Sequence, residues 1–187
     1  MRSQFGASIL SQMLQELAFE RGHHVKAHIQ RNVGGNTDFL NMEDKTRLAS
    51  KKISKENVIR AQNDIRNIST EDSFLHAGPS EYIHYYGDNK VANFRLELEG
   101  FGGSPVIFDA QLSVQDSPNS AGVVIDAIRY LKVARELGVV GALRGPSAFT
   151  QNTPPDQMMF SDAVYECTEL ANRRLTESTS KQMNDEN

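Results

Sequence analysis

Two runs of alternating residues, joined by a glycine-rich segment, constrain the fold of this chain more than any other feature. Asn93, Arg95 and Glu97 alternate with apolar residues in the first run, over 92–98, and every second residue of 106–114 is again apolar. A period of two places the two sets of side chains on opposite faces of a strand. Because the connecting segment GFGGSP (100–105) is short, the two runs predict a β-hairpin with one apolar face. The apolar members are Ala92, Phe94, Leu96, Leu98, Val106, Phe108, Ala110, Leu112 and Val114.

The N-terminal third of the chain predicts a helix, a strand and a second helix. Residues 4–21 carry apolar side chains at helical spacing, and Gly22 ends that pattern. The alternation over 25–29 is typical of a half-buried strand. Ser54 is the predicted N-cap of a short helix to about Arg66, and the turn-rich residues 67–80 are predicted to form a loop.

Two further helices are predicted after the hairpin. Ser117-Pro118 opens a long helix, with the proline in the first turn, and Gly138 ends it. A loop with several glycines and prolines leads to a last helix over 160–176, followed by a polar tail, 177–187, that is expected to be disordered.

The order of these elements predicts an α+β fold with a mostly antiparallel sheet covered by helices. A chain of 187 residues buries one sizeable core, so one main domain is expected, over 1–160. The helix 161–176 and the tail 177–187 follow that domain.

Composition and motifs exclude several classes of protein. A net charge of −4 disfavours a general nucleic-acid binder, and no apolar run approaches the roughly 20 residues that a bilayer crossing needs. Cys167 is the single cysteine, which fits a reducing cytoplasm. The sequence has no Walker A motif, no G-x-G-x-x-G after a strand and no zinc-type Cys/His spacing, so no metal site is predicted. The histidines at 23, 24 and 28 are expected to be surface or core residues rather than ligands.

The segment from 32 to 55 concentrates groups suited to a small anionic or carbonyl ligand. Gly34 and Gly35 allow a sharp turn and a close approach to a ligand, and short polar side chains follow them. The lysines at 51, 52 and 55 then place three ammonium groups close together. The alternative interpretation is a turn followed by a solvated basic helix start, and the segment alone does not decide between the two.

Five stretches together carry a resemblance to a known family. They are NVGGNTDFLNM (32–42), SKKISK (50–55), GPSEYIHYYGDNKVA (78–92), LEGFGG (98–103) and DSPNSAGVVIDAIRYLKVA (116–134). In this order they resemble the bacterial branch of the inositol-3-phosphate synthase family, over nearly the whole chain to about residue 160. The resemblance implies conversion of glucose 6-phosphate to inositol 3-phosphate with bound NAD, and a homo-oligomer, expected to be a tetramer, formed through the sheet.

The resemblance also implies roles for particular residues. The catalytic lysines that match the family are Lys51, Lys55 and Lys90. The residues implied to bind the substrate are Ser3, Gln4, Phe5 and Gly6 at a helix start, where backbone amides suit a phosphate, together with Asn36 and Asp38. Asp116 matches an acid beside the cofactor NAD, although it is also placed to complement the N-terminus of the following helix.

Two departures from the family limit what the resemblance implies. The NAD-binding domain with which the family begins is not in this sequence, so a separate NAD-binding domain is an expected partner. Asn152 stands where the family has a catalytic lysine, and an amide does not carry charge or transfer a proton at neutral pH. We therefore expect the isolated chain to be inactive as a synthase. The alternative is a non-catalytic homologue that binds a phosphosugar or takes part in assembly or regulation.

Overall fold

The computed structural model describes residues 2–43, 45–67 and 73–185, and a four-stranded sheet forms its centre. The strands are β1 (His24–Gly34), β2 (Phe74–Tyr82), β3 (Asn89–Glu99) and β4 (Pro105–Gln115), in the spatial order β2-β1-β3-β4. β1 runs parallel to β2 and antiparallel to β3, and β3 runs antiparallel to β4. The mostly antiparallel α+β fold is confirmed.

The predicted hairpin is confirmed as β3 and β4. Phe94 lies opposite Ala110 and Leu96 lies opposite Phe108, so the two apolar sets share one face. The connection is a tight turn in which Gly102 and Gly103 have φ angles of 66° and 77°. Positive φ is inexpensive only for glycine, which explains the composition of this turn.

Six helices accompany the sheet in the described part of the chain. They are α1 (Ala7–Glu20), α2 (Thr37–Leu40), α3 (Lys45–Ile65), α4 (Asp116–Glu136), α5 (Arg144–Thr150) and α6 (Phe160–Asp185). α1 packs on the apolar face of the hairpin, where Ala7, Leu10 and Leu14 meet Ala92, Phe94 and Leu96. None of the six helices combines the length and the apolar content that a bilayer crossing needs, over the residues that the structure describes.

The prediction of a loop over 67–80 was wrong from residue 74 onward, where β2 begins. Residues 68–72 lie outside the described residues. β2 is an edge strand, and its register against β1 shifts between Asn32 and Val33, next to the partner of Pro79. A proline removes one backbone donor, which an edge strand tolerates beside such an irregularity. Gly78-Pro79-Ser80 therefore suggested a turn where the chain forms an edge strand.

The two predicted helix ends near residues 54 and 176 were also wrong. α3 begins at Lys45, so Ser54 lies inside the helix and is not its N-cap. α6 continues to Asp185, so the tail predicted to be disordered is helical over 177–185. Polar composition suggested an unfolded tail, but a long run without glycine or proline also suits a helix.

A row of uncharged polar side chains, rather than apolar ones, fills the space between β1, α1 and α3. We call this set the polar row: Ser11, Gln15, His28, Gln30, Asn32 and Asn63. All six side chains are fully buried, and hydrogen bonds join each one to the next. His28 is thus a core residue and His24 an exposed one, a distinction that the sequence did not make.

Burial of His28 makes the stability of this chain depend on pH in a defined window. Desolvation lowers the pKa of His28 from 6.5 to about 4, so the folded state favours the neutral ring. The contribution is present above pH 6.5 and is lost as the pH falls toward 4, by about 3 kcal/mol at most. We expect urea unfolding to show this loss in the wild-type chain and not in His28→Gln. The exposed His24→Gln is the control that keeps it, and parallel pH profiles of wild type and His28→Gln would contradict the prediction.

Candidate functional site

A cavity of about 260 Å³ lies where β1 ends and where α1 and α4 begin. It is slightly smaller than the roughly 300–1,000 Å³ of typical small-molecule pockets. Of the residues predicted from the sequence, it brings together Ser3, Gly6, Asp38, Lys55, Lys90 and Asp116. These residues are far apart in the chain, so the fold gathers at one place what the motifs indicated separately.

Lys90 and Asp116 form an ion pair in the wall of the cavity. The Lys90 ammonium donates to Oδ1 of Asp116, and Nδ2 of Asn36 donates to Oδ2 at 3.2 Å. The side chains of Lys90 and Asp116 are only 12% and 14% exposed. Asn36 also accepts a hydrogen bond from the Phe39 amide and so caps α2. Both Asp116 oxygens thus have protein donors.

The turn before Lys90 fixes the start of α4. Asp88 accepts from the Ser117 hydroxyl at 2.6 Å and from the Ser117 amide at 2.9 Å. These bonds, the hydroxyl first, lower the pKa of Asp88. A carboxylate at a helix N-terminus satisfies amide donors that have no partner within the helix. The GDNK and DSPNS stretches therefore contact each other, and this contact places Lys90 against Asp116.

The start of α1 presents backbone amides to the cavity. Gly6 is its N-cap residue, and no side chain caps this end among the described residues. Ser3 lies alongside, with its hydroxyl 3.2 Å from that of Ser120. A Cβ at Gly6 would come within 2.9 Å of the Ser3 Cβ, so a larger residue would crowd this end. A helix N-terminus with small neighbours is suited to an anion.

Four of the predicted residues do not contribute a described side chain to the cavity, and one of them, Asn36, is linked to it only through Asp116. Phe5 is 59% exposed, and its amide donates to the Asn119 side chain at 2.9 Å. The Gln4 side chain lies against Gly122, and the backbone amide of Gln4 donates to the backbone carbonyl of Asn119. Gln4 and Phe5 therefore anchor the start of α1 to α4. The predicted Lys51 lies in α3, and its side chain lies outside the described residues.

The cavity also contains residues that the sequence did not identify as site residues. Arg2 is buried beside Ser3, and desolvation lowers the pKa of its guanidinium to about 10, against the attraction of Glu16, so it stays cationic at neutral pH. Asn32 and Ser120 line the cavity too. Both lie inside stretches that resemble the family, and that position could have identified them from the sequence. Asn152 also lines the cavity, and its Oδ1 is buried without a hydrogen-bond partner in the described structure.

Gly35 serves a close approach of two backbone segments rather than of a ligand. A Cβ there would lie 2.5 Å from the Gly87 amide nitrogen and 2.5 Å from the Ile83 carbonyl oxygen. The Ile83 amide also donates to the Gly34 carbonyl at 2.9 Å. The turn that carries Asp88 and Lys90 is thus held against the end of β1 only because residue 35 has no side chain.

The family model for myo-inositol-1-phosphate synthase matches residues 6–117, which is more than half of the chain. The chain belongs to that family. The match includes the start of α1, the segment after β1, and the Lys90–Asp116 pair. The fold and the resemblance that the sequence predicted are thereby confirmed.

Relatives with assigned names support the same membership. The chain is 42% identical over 159 residues to an inositol-3-phosphate synthase of Corynebacterium glutamicum, and 43% identical over 157 residues to one of Mycobacterium tuberculosis. Each match covers 84% of this chain but only 44% and 42% of the relative, so the chain spans less than half of their length. The fold also matches a myo-inositol-1-phosphate synthase-related protein from Thermotoga maritima, with a TM-score of 0.74 and 25% identity over 91% of this chain and 44% of that one.

The residues described here do not by themselves fit the dinucleotide cofactor of the family. A dinucleotide binds at a glycine-rich turn between a strand and the start of a helix. The turn of this kind among the described residues, Gly34-Gly35 between β1 and α2, is packed against the backbone of Ile83 and Gly87 and so leaves no room for a pyrophosphate. Asp116, the residue implied to contact NAD, is held by Lys90 and Asn36. We therefore assign no step to NAD within these residues.

The semi-buried position of the Lys90–Asp116 pair predicts a measurable coupling energy. We expect a double-mutant cycle of Lys90→Met and Asp116→Asn, measured by urea unfolding, to give about 1–3 kcal/mol. The matched control is the pair Lys26–Glu99, whose side chains are 54% and 38% exposed. Its cycle, with Lys26→Met and Glu99→Gln, should give a clearly smaller coupling energy, because water and salt screen an exposed pair. Equal coupling in the two pairs would show that burial of the first pair has no energetic consequence.

Proposed function

We propose that this chain is the sugar-phosphate-binding part of an inositol-3-phosphate synthase acting on glucose 6-phosphate. The observation that carries the proposal is the convergence of the uncapped start of α1 with Ser3, Lys55 and Lys90 on one cavity. Amide donors, a hydroxyl and cationic side chains together complement a phosphate and sugar oxygens. The names of the relatives support the same substrate class.

In this proposal the phosphate lies at the start of α1. The amides of the first helical turn donate to it, and the nearby Ser3 and Ser120 hydroxyls add directional hydrogen bonds. Lys55 and the buried Arg2 supply positive charge from two sides of the cavity. This arrangement orients the rest of the sugar toward Lys90 and Asn152.

Lys90 then stabilises negative charge that develops on a sugar oxygen. Its ammonium is held by Asp116, and Asn36 holds Asp116 in turn. A positioned cation needs no reorganisation when an alkoxide or enolate forms, which is how such groups accelerate a reaction. The reversible oxidation of the sugar requires NAD, which in this proposal binds to a separate domain beside the cavity.

A second candidate function is a non-catalytic phosphosugar-binding or regulatory protein built on the same domain. Asn152 favours it, because this amide lines the cavity where the resemblance places a lysine. Loss of a general acid or base typically lowers a rate by about 10² to 10⁴. Binding of the phosphate at α1 would be unaffected by this replacement.

We also propose that the chain associates with further copies of itself. One side of α4 exposes a continuous apolar stripe, formed by Val124, Ile125, Ile128 and Leu131. The sheet face opposite α1 carries a charged and polar set, in which Arg95 contacts Glu97 and Asp109. Protein interfaces commonly combine an apolar centre with a polar rim, and these two surfaces offer one of each. Sedimentation equilibrium of the purified chain measures this association directly.

Removal of the Lys55 ammonium should weaken binding of the sugar phosphate. Lys55→Met keeps much of the side-chain volume and removes the charge that faces the cavity. We expect the dissociation constant for glucose 6-phosphate, measured by titration calorimetry, to rise about tenfold to a hundredfold. Lys52→Met is the matched control, because Lys52 lies on the same helix, exposed and 3.8 Å from Glu56. Equal effects of the two substitutions would contradict the assigned role of Lys55.

Turnover separates the two candidate functions. The chain is mixed with glucose 6-phosphate, NAD and the portion of the Corynebacterium glutamicum relative that the chain does not cover. The inositol phosphate formed is then measured. We expect little or no product from the wild-type chain and a rate about 10² to 10⁴ higher with Asn152→Lys. Failure of both mixtures, with glucose 6-phosphate binding intact, would exclude the synthase and leave the binding function.

A further inference from the structure

The polar row ends at the cavity, and its hydrogen bonds have a direction that can be worked out. Ser11 donates to Oε1 of Gln30 at 2.7 Å, and Nε2 of Gln30 donates to Oδ1 of Asn32 at 2.8 Å. Asn32 lines the cavity, and its Nδ2 is buried without a hydrogen-bond partner in the described structure. A buried amide donor without a partner is costly, so an acceptor in the cavity is expected for Nδ2 of Asn32.

The hydrogen bond from Ser11 to Gln30 favours one tautomer of His28. A serine hydroxyl has one proton, and here that proton goes to Gln30. The other contact of the Ser11 oxygen, 3.2 Å from Nε2 of His28, must therefore be a bond that the oxygen accepts. Nε2 of His28 thus carries the ring proton.

The opposite ring nitrogen then fixes the far end of the row. The buried ring is neutral, since desolvation lowers its pKa, so Nδ1 is an acceptor. Nδ1 lies 2.8 Å from Oε1 of Gln15, whose Nε2 donates to Oδ1 of Asn63 at 3.0 Å. Two acceptors then face each other. Because amide oxygen and nitrogen are assigned from their partners, the conflict disappears if the Gln15 and Asn63 amides are turned, or if those of Gln30 and Asn32 are turned instead. In the first case Asn63 Nδ2, otherwise without a partner, becomes the first donor of the row.

With the Gln15 and Asn63 amides turned, every bond of the polar row points the same way, from Asn63 at the far end to Asn32 at the cavity. The direction is a property of the whole row, because reversing one bond leaves two donors or two acceptors facing each other. The other neutral tautomer of His28 would reverse all of them. Asn32 would then turn its oxygen, and not its nitrogen, to the cavity.

We infer that His28, through this row of hydrogen bonds, is a positioning residue that holds Asn32 as a donor to an oxygen atom of the ligand. A phosphate or sugar oxygen accepts such a bond, whereas a carbonyl oxygen of Asn32 would repel a phosphate. The inference rests on the proposed function for the identity of the ligand. This direction is chosen because it keeps the buried, unpartnered Nδ2 of Asn32 at the cavity, and the His28 tautomer tests it.

The first test reads the His28 tautomer in the wild-type chain without ligand. NMR correlation spectra between ring protons and ring nitrogens distinguish the two neutral forms, and the spectrum of His28→Gln assigns the signals. We expect the form protonated at Nε2 at neutral pH. The form protonated at Nδ1, or a ring that exchanges between the two, would overturn the inference. This measurement needs no variant of the row to fold.

The second test measures glucose 6-phosphate binding by calorimetry in Ser11→Ala, which interrupts the row while leaving Asn32 in place. We expect about tenfold weaker binding, the effect of one well-placed hydrogen bond to a charged ligand. Gln12→Met is the matched control. Gln12 is the next residue of α1 and equally buried, but it contacts Glu16 and Met158 instead of the row. It should bind as the wild type does.

The outcomes separate this inference from the proposed function. No binding of glucose 6-phosphate to the wild-type chain would overturn both. Binding to the wild type that is unchanged in Ser11→Ala, or weakened equally in Gln12→Met, would overturn the inference alone. Asn32→Asp, which replaces the donor by an acceptor of the same shape, should weaken binding more than Ser11→Ala does. Wild-type affinity in that variant would also overturn the inference.

Discussion

The packing of α1 on β1 depends on a set of buried hydrogen bonds that leave little freedom in register. An apolar interface tolerates small shifts, because one methyl group replaces another at little cost. The polar row does not, since a displaced amide or imidazole would leave buried donors without acceptors. The positions of Ser11 and Gln15 over His28 and Gln30 therefore fix where α1 begins relative to the end of β1. That relation defines the cavity.

The other walls of the cavity are set by contacts between the ends of helices and strands rather than by the core. Gly35 lets the turn over 83–87 approach the end of β1, and Asp88 in the following residues holds the start of α4. Asn119 in turn holds the segment before α1 by two hydrogen bonds to Phe5. These contacts are made by small or polar residues, because they satisfy backbone N–H and C=O groups that have no partner at the end of a helix or strand. Lys90 and Asp116 meet as a consequence.

The parts of the fold that could be predicted are those in which a local pattern and the tertiary environment agree. The alternation over 92–98 and 106–114 identified β3 and β4, and the spacing after Ser117 identified α4. β2 was not predicted because an edge strand accepts Gly78 and Pro79, which locally favour a turn. The start of α3 was misplaced because Ser54 is a good N-cap residue that here lies within a helix. In both cases packing against β1 or α1 outweighed the local preference.

The sequence by itself determined the family, because motifs far apart in the chain matched it. Most of the candidate residues in those motifs line one cavity. The sequence also determined the hairpin, because a period of two fits only a strand. Only the tertiary structure decided how these residues act on one another. Local patterns do not show that Asp116 lies between Lys90 and Asn36, that Arg2 is buried beside Ser3, or that His28 connects to Asn32. Those relations arise when distant segments are excluded from water together, since only then must each donor find an acceptor.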